Sequence, residues 1–147
     1  MFTSLEANPE LMFCSILLTS MDKDDAVKHW LESAMDNLKL AEDLYKLGHN
    51  SWCLFMWHLT IEKTLKAIIT QHGKDIPYTH DLEKLAKIAE LDLTETMANE
   101  LKEISSYNLE ARYDDYKLKF YKKATKEYTL DWISKCQEVL LWLKNRI

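Results

Sequence analysis

Apolar residues recur every three or four positions along most of the chain from residue 24 onward, the spacing that places them on one face of a helix. The first such pattern ends at Gly48, a residue suited to the turn that follows a helix. Its apolar members are Val27, Trp30, Leu31, Ala34, Leu38, Ala41, Leu44 and Tyr45. We therefore predict a first long helix from Asp24 to Leu47.

A second helix is predicted from Ser51 to Gln71. Only residues 48–50 separate it from the first helix, so the two are expected to be antiparallel neighbours. Its apolar residues occupy most sides of the helix rather than one stripe, which indicates a central, buried position. Gly73 and Pro77 follow its end and stop it.

Weaker patterns predict a short helix over His80–Leu91, a helix over Thr94–Asn108 and a last helix over Tyr121–Asn145. The stretch 109–120 between the last two is the least periodic, and we predict a loop there. With two glycines and two prolines in 147 residues, the chain offers few turn residues for a sheet. The predicted fold is all-α, an up-and-down antiparallel four-helix bundle with a short extra helix.

Residues 1–20 precede this pattern and are expected to be an N-terminal extension, either disordered or added by a mis-called start, with the domain over residues 21–147. Their apolar run, 11–18, is too short to span a bilayer and has no basic stretch before it. Three scattered cysteines without a CxxC motif favour free thiols and a reducing cytoplasm. We expect a cytoplasmic protein without a membrane span.

Charge is unevenly distributed along the chain. The formal net charge is −5, yet residues 112–147 hold nine lysines and arginines against five acidic residues. A protein with a negative net charge is not expected to bind nucleic acid without specificity, and no recognition of a DNA sequence is expected. The basic segment still suits one specific anionic ligand.

Two groups of polar residues precede that basic segment. His58, Glu62 and Lys66 follow one another at four-residue steps on the second helix, so they share a face. This polar stripe is either an exposed edge, with Glu62 and Lys66 as a weak ion pair, or the wall of a cleft. His80 lies in a segment that starts a helix, where Thr79 or His80 would be the cap. Alternatively, His80 acts as an acid, a base or an anion contact.

The segment 107–126 is the third group, with Arg112, Tyr113 and Tyr116 followed by five lysines. Arginine offers a planar fork to phosphate, and tyrosine rings stack on bases, so this segment suits a nucleotide or single-stranded RNA. The alternative is a solvated loop in which Arg112 pairs with an acidic neighbour. The chain contains none of the sequences ExxH, HExxH, GxxxxGK or GxGxxG. We therefore expect no metal and no cofactor.

Three segments together resemble the HEPN domain, a helical domain of higher eukaryotes and prokaryotes linked to nucleotide binding. Residues 58–73, HLTIEKTLKAIITQHG, are similar to the family pattern HxxxEKxLKA. Residues 78–85, YTHDLEKL, resemble its tHDLxxL segment, and residues 110–133 resemble its aRYPD segment and last helix. The order and spacing of the three segments carry the resemblance, which covers roughly residues 24–146.

The resemblance implies a homodimer of four- or five-helix bundles, often encoded beside a minimal nucleotidyltransferase as a toxin–antitoxin pair. It also implies metal-independent ribonuclease activity in members that carry an arginine followed four to six residues later by a histidine. Arg112 matches that arginine, but residues 113–126 contain no histidine, and Asp114 replaces the proline of the family pattern. The catalytic histidine therefore does not carry over.

The leading hypothesis is a homodimeric module that binds a nucleotide or RNA around Arg112, with a nucleotidyltransferase as its protein partner. Tyr113 would pack or stack, and Asp115 would orient Arg112 or a ligand hydroxyl. The same cleft is expected to include Lys66, Glu62 and His80. One alternative is a ribonuclease that uses Arg112 with His80. Another is a purely structural interaction module, suggested by five tryptophans in one small domain.

Overall fold

The computed structural model describes residues 22–147, which form six helices and no strand within that range. The predicted extension, residues 1–20, lies outside the described residues. The helices are α1 (Lys23–Lys46), α2 (Asn50–Gln71), α3 (Leu82–Ile88), α4 (Glu95–Arg112), α5 (Asp114–Lys123) and α6 (Lys126–Lys144). The predicted all-α fold is confirmed, and the arrangement is consistent with a four-helix bundle.

Helix α2 is the centre of the molecule, as its apolar sequence predicted. It packs along α1 and also contacts α3, α4, α5 and α6. The turn from α1 to α2 uses Gly48 with a φ of 79°, a conformation that costs glycine little. Further along the pair, Lys63 on α2 donates a 2.6 Å hydrogen bond to Ser33 on α1, as expected for antiparallel neighbours.

The predicted loop over residues 109–120 is wrong, because α4 continues to Arg112 and α5 begins at Asp114. Only Tyr113 interrupts the helical conformation in this stretch. Helix α5 buries a single side chain, Phe120, so it shows no apolar stripe that a periodicity argument can detect. The segment contains no proline or glycine that would stop a helix. The basic, tyrosine-rich stretch is therefore an exposed helix rather than a loop.

Two helix starts also differ from the prediction. Helix α3 begins at Leu82, where Asp81 is the cap and accepts a 3.2 Å hydrogen bond from the backbone N–H of Lys84. The last helix begins at Lys126 rather than Tyr121, and Thr125 caps it in the same way. A short acidic or hydroxyl side chain satisfies an unpaired N–H of the first turn, which explains both positions.

A hydrogen-bonded network joins α4, α5 and α6. The hydroxyl groups of Tyr107 and Tyr128 lie 2.7 Å apart, and that of Tyr128 donates to Glu103. Lys123, at the end of α5, forms an ion pair with Glu103. Burial raises the pKa of Tyr107, so this ring is a neutral donor at any physiological pH. The network attaches α5 to the bundle at its carboxyl end.

Two predictions about the whole chain are tested by the described part. No helix there is both long and apolar enough to cross a membrane. Cys53 and Cys136 are buried free thiols, as predicted, and burial raises the pKa of Cys53 to about 12. Cys14 lies outside the described residues.

Candidate functional site

A buried carboxylate, Glu62, is the centre of a charged cluster on α2. Its side chain is only 4% exposed and accepts hydrogen bonds from Lys66 Nζ at 2.7 Å and His80 Nδ1 at 3.0 Å. Lys66 is 15% exposed and also lies 5.4 Å from the centre of the Trp30 ring. The polar stripe on α2 is therefore not an exposed edge, because α1 and the segment before α3 cover it.

The ionisation of Glu62 follows from these partners. Burial by itself raises the pKa of a carboxyl group, because the charged form loses its hydration. Lys66, His58 and His80 act in the opposite direction, and the resulting pKa of Glu62 lies below its usual value. The group is therefore a carboxylate at neutral pH, able to accept hydrogen bonds and to hold a neighbouring histidine in one orientation.

His58 was part of the predicted stripe but not of the predicted site. Its ring is fully buried, and burial lowers its pKa, so it is neutral at pH 7. Its Nε2 lies 3.1 Å from the backbone carbonyl oxygen of His80. Because a carbonyl oxygen can only accept a hydrogen bond, Nε2 of His58 is the donor. This bond ties the segment before α3 to α2. Nδ1 of His58 is buried without a partner among residues 22–147.

His80 combines the two features expected of an acid or base, a fixed orientation and access to solvent. Its side chain is 41% exposed, although its Nδ1 atom lies against the Glu62 carboxylate. Because an ionised carboxylate only accepts, Nδ1 carries a proton, and in the neutral ring Nε2 holds the lone pair. A histidine oriented in this way is suited to proton transfer at its other nitrogen.

The remaining three predicted residues lie together at the junction of α4 and α5. Arg112 is the last residue of α4, Tyr113 is the single residue between the helices, and Asp115 is in the first turn of α5. All three side chains are exposed. Nη1 of Arg112 lies 3.5 Å from Oδ1 of Asn108, one turn back on α4. Its guanidinium therefore remains largely available to a ligand.

Arg112, Tyr113 and Asp115 lie on different elements of the chain from Glu62, Lys66 and His80, with which they were expected to share one cleft. Ala111, which precedes Arg112, lines a small hollow with Trp52 on the first turn of α2. Glu62 follows Trp52 by ten residues, or about 15 Å along the helix. In the described structure no hydrogen bond or ion pair links Arg112 to Glu62 or His80. The ligand roles of the six residues stay predictions.

The described residues include no group of three or more histidine, cysteine or acidic side chains placed to hold a metal ion. The three side chains around Glu62 are His58, His80 and Lys66, and the Lys66 ammonium group occupies one carboxylate oxygen. One carboxylate and two histidines with a paired lysine have the composition of a hydrogen-bonded proton-transfer network.

The sequence matches a known family of domains, and the fold is similar to that of a solved structure. A family model described as the HEPN domain matches residues 27–146. Among solved structures, the chain is similar to the crystal structure of TT1696 from Thermus thermophilus, with a TM-score of 0.70 and 22% identity. That alignment covers 82% of this chain and 98% of the other. At this identity the similarity shows a common fold alone. No curated protein matches the chain significantly.

Proposed function

Because the chain belongs to the HEPN family, we propose that it is a homodimeric module that binds a nucleotide or RNA around Arg112. In this proposal a minimal nucleotidyltransferase is its protein partner, in a toxin–antitoxin-like pair. The partner and the pair rest on the family alone. The binding of an anionic, aromatic ligand rests on the surface described next.

One observation carries the proposal: helix α5, which follows Arg112, is exposed along most of its length and is both basic and aromatic. Tyr116 and Tyr121 are exposed, and Lys119 and Lys122 have no ion-pair partner in the described part of the chain. An exposed lysine that no acidic residue neutralises attracts phosphate, and an exposed tyrosine ring stacks on bases. These properties favour a nucleotide or RNA over an uncharged ligand.

Replacing Arg112 by alanine is expected to weaken the binding of RNA by about ten-fold or more, since a hydrogen bond to a charged group contributes about 1.5–3 kcal/mol. The measurement is calorimetric titration of the protein with ATP, UTP and a short single-stranded RNA. Arg146→Ala is the matched control, because Arg146 lies on the Trp142 ring at the end of the chain, and it removes the same charge. Absence of saturable heat, or equal affinities for both variants, contradicts the proposal.

A second candidate function is metal-independent cleavage of RNA, and the Glu62–His80 contact favours it. His80 Nε2 would take the proton of a ribose 2′-hydroxyl, whose oxygen then attacks the adjacent phosphorus. The 5′-oxygen leaves with a proton taken from water, the phosphate becomes a 2′,3′-cyclic phosphate, and the protonated His80 gives its proton to the resulting hydroxide. An Arg112 guanidinium, supplied by a second copy, would neutralise the charge on the phosphate. His80 would thus replace the histidine of the family motif, which this chain lacks after Arg112, with the residue type best suited to proton transfer near neutral pH.

For this second candidate, incubation of RNA with the protein in excess EDTA is expected to give cleavage that falls by about 10²- to 10⁴-fold in His80→Ala. Arg112→Ala is expected to lose cleavage as well, because it removes charge stabilisation in the transition state. Residual cleavage that is the same in the wild type and in both variants would identify a contaminating nuclease and exclude this activity.

A further inference from the structure

We propose that a base of the bound RNA or nucleotide stacks between Trp52 and Tyr121, in a hollow at the start of α2. The inference rests on the proposed function and specifies where the ligand's aromatic part is bound. It gives a binding role to Trp52, on a different helix from the basic segment 107–126, and a specific contact to Tyr121 within that segment. Arg112, close by, would hold the phosphate.

The hollow has two connected parts with common walls. The larger part has a volume of about 390 Å³ and the smaller part about 150 Å³. Ser51, Trp52 and Tyr121 line both parts, so the two aromatic rings lie where the parts meet. A volume of this size lies within the range of small-molecule sites, roughly 300–1,000 Å³. Ala111 lines the smaller part, which connects the hollow to the α4–α5 junction.

Two contacts hold part of the walls of the hollow in place. The side chain of Asn50 donates a 3.1 Å hydrogen bond to the backbone oxygen of Ala124, which joins the start of α2 to the end of α5. The Trp52 ring contacts the edge of Phe55, with centroids 6.1 Å apart and planes at 75°. These contacts order the Trp52 side of the hollow before a ligand binds, which reduces the entropy lost on binding.

The two aromatic rings are not used to stabilise the core. Trp52 is 44% exposed and Tyr121 is 73% exposed. Lysine side chains flank them, with Lys122 lining the larger part and Lys117 the smaller. Exposed rings beside cations are the combination that single-stranded nucleic acids bind, with bases on the rings and phosphates on the cations.

The test separates base stacking from phosphate binding by changing the ligand as well as the protein. The affinities of a short single-stranded RNA and of an abasic oligonucleotide of the same length are measured by fluorescence anisotropy. Wild-type protein is expected to prefer the RNA. Tyr121→Leu and Trp52→Ala are each expected to weaken RNA binding by about 5- to 100-fold, because a base loses an aromatic partner. Both variants are expected to bind the abasic oligonucleotide as wild type does.

Tyr121→Phe is the matched variant, since it keeps the ring and is expected to keep the affinity. Arg112→Ala should weaken RNA and abasic oligonucleotide alike, because both carry the phosphates. If Arg112→Ala weakens binding while Tyr121→Leu and Trp52→Ala do not, the stacking site is excluded and the proposed function stands. If wild type binds neither ligand, both fail. If the aromatic variants instead convert a dimer to a monomer in light scattering without changing affinity per protomer, the hollow is a contact between copies.

Discussion

Replacing Glu62 by alanine is expected to destabilise the protein by about 3–5 kcal/mol, the cost of breaking a buried ion pair by removing one partner. Without the carboxylate, Lys66 keeps a charge in a site that is only 15% exposed, and His80 Nδ1 loses its acceptor. The free energy of unfolding is measured by urea denaturation followed by circular dichroism. Glu62→Gln is expected to cost less, because the amide oxygen still accepts one hydrogen bond.

Glu83→Ala is the matched control for this experiment. Glu83 and Lys87 have the same order and spacing on α3 as Glu62 and Lys66 on α2, and their side chains lie 3.1 Å apart. That pair is more exposed, with Glu83 at 31% and Lys87 at 70%, so its loss is expected to cost less than about 1 kcal/mol. If Glu62→Ala and Glu83→Ala lower the free energy of unfolding equally, burial does not make the loss of the Glu62 ion pair more costly, and the prediction is wrong.

The pH dependence of stability provides a second readout for the same variants. The pKa of Glu62 is lower in the folded protein than in the unfolded chain, so its contribution is complete above the unfolded value and is lost as pH falls through the folded one. Burial also lowers the pKa of His58, whose contribution decreases as pH falls below the usual histidine value. Glu62→Gln should therefore lose stability less steeply than wild type in the acidic range of carboxyl titration.

The sequence predicted α2 well, for a physical reason. A helix surrounded by neighbours has apolar residues on most sides, and this distribution can be recognised from the sequence alone. Helix α5 lacked such a signal, because one side chain, Phe120, provides its buried contact. Its helical conformation depends on that tertiary contact and on the network at Lys123, which involve α4 and α6. Local patterns contain no information about either contact.

The candidate site shows the same division between local and tertiary information. Four-residue spacing predicted the contact of Glu62 with Lys66, because it lies within one helix. The contact with His80 crosses to another segment, and the burial of the pair depends on α1 and on the residues before α3. The five tryptophans suggested an interaction surface, but the apolar pattern of α2, which covers most of its sides, does not single out Trp52 as an exposed member. Only the packed structure distinguishes it from Trp57, which is buried.

Replacing Phe120 by alanine is expected to release α5 from the bundle, at a cost of about 3–5 kcal/mol. The Phe120 ring is 1% exposed and stacks on Tyr107, with ring centroids 5.3 Å apart, and it is the one buried side chain of its helix. A ten-residue helix without tertiary contacts is marginal in water, so its backbone hydrogen bonds should open locally. Hydrogen exchange is expected to accelerate in residues 114–123 far more than in α2.

Leu118→Ala is the control on the same helix, because Leu118 is exposed and its truncation should change the free energy of unfolding by less than about 0.5 kcal/mol. Because α5 carries Tyr121 and the lysines that flank the hollow, Phe120→Ala is also expected to weaken RNA binding while α2 remains folded. If hydrogen exchange instead accelerates equally in α2 and α5, then α5 does not open independently and the bundle unfolds as one unit. Retained RNA affinity in Phe120→Ala, with α5 shown to be open, would mean that the ligand does not contact α5.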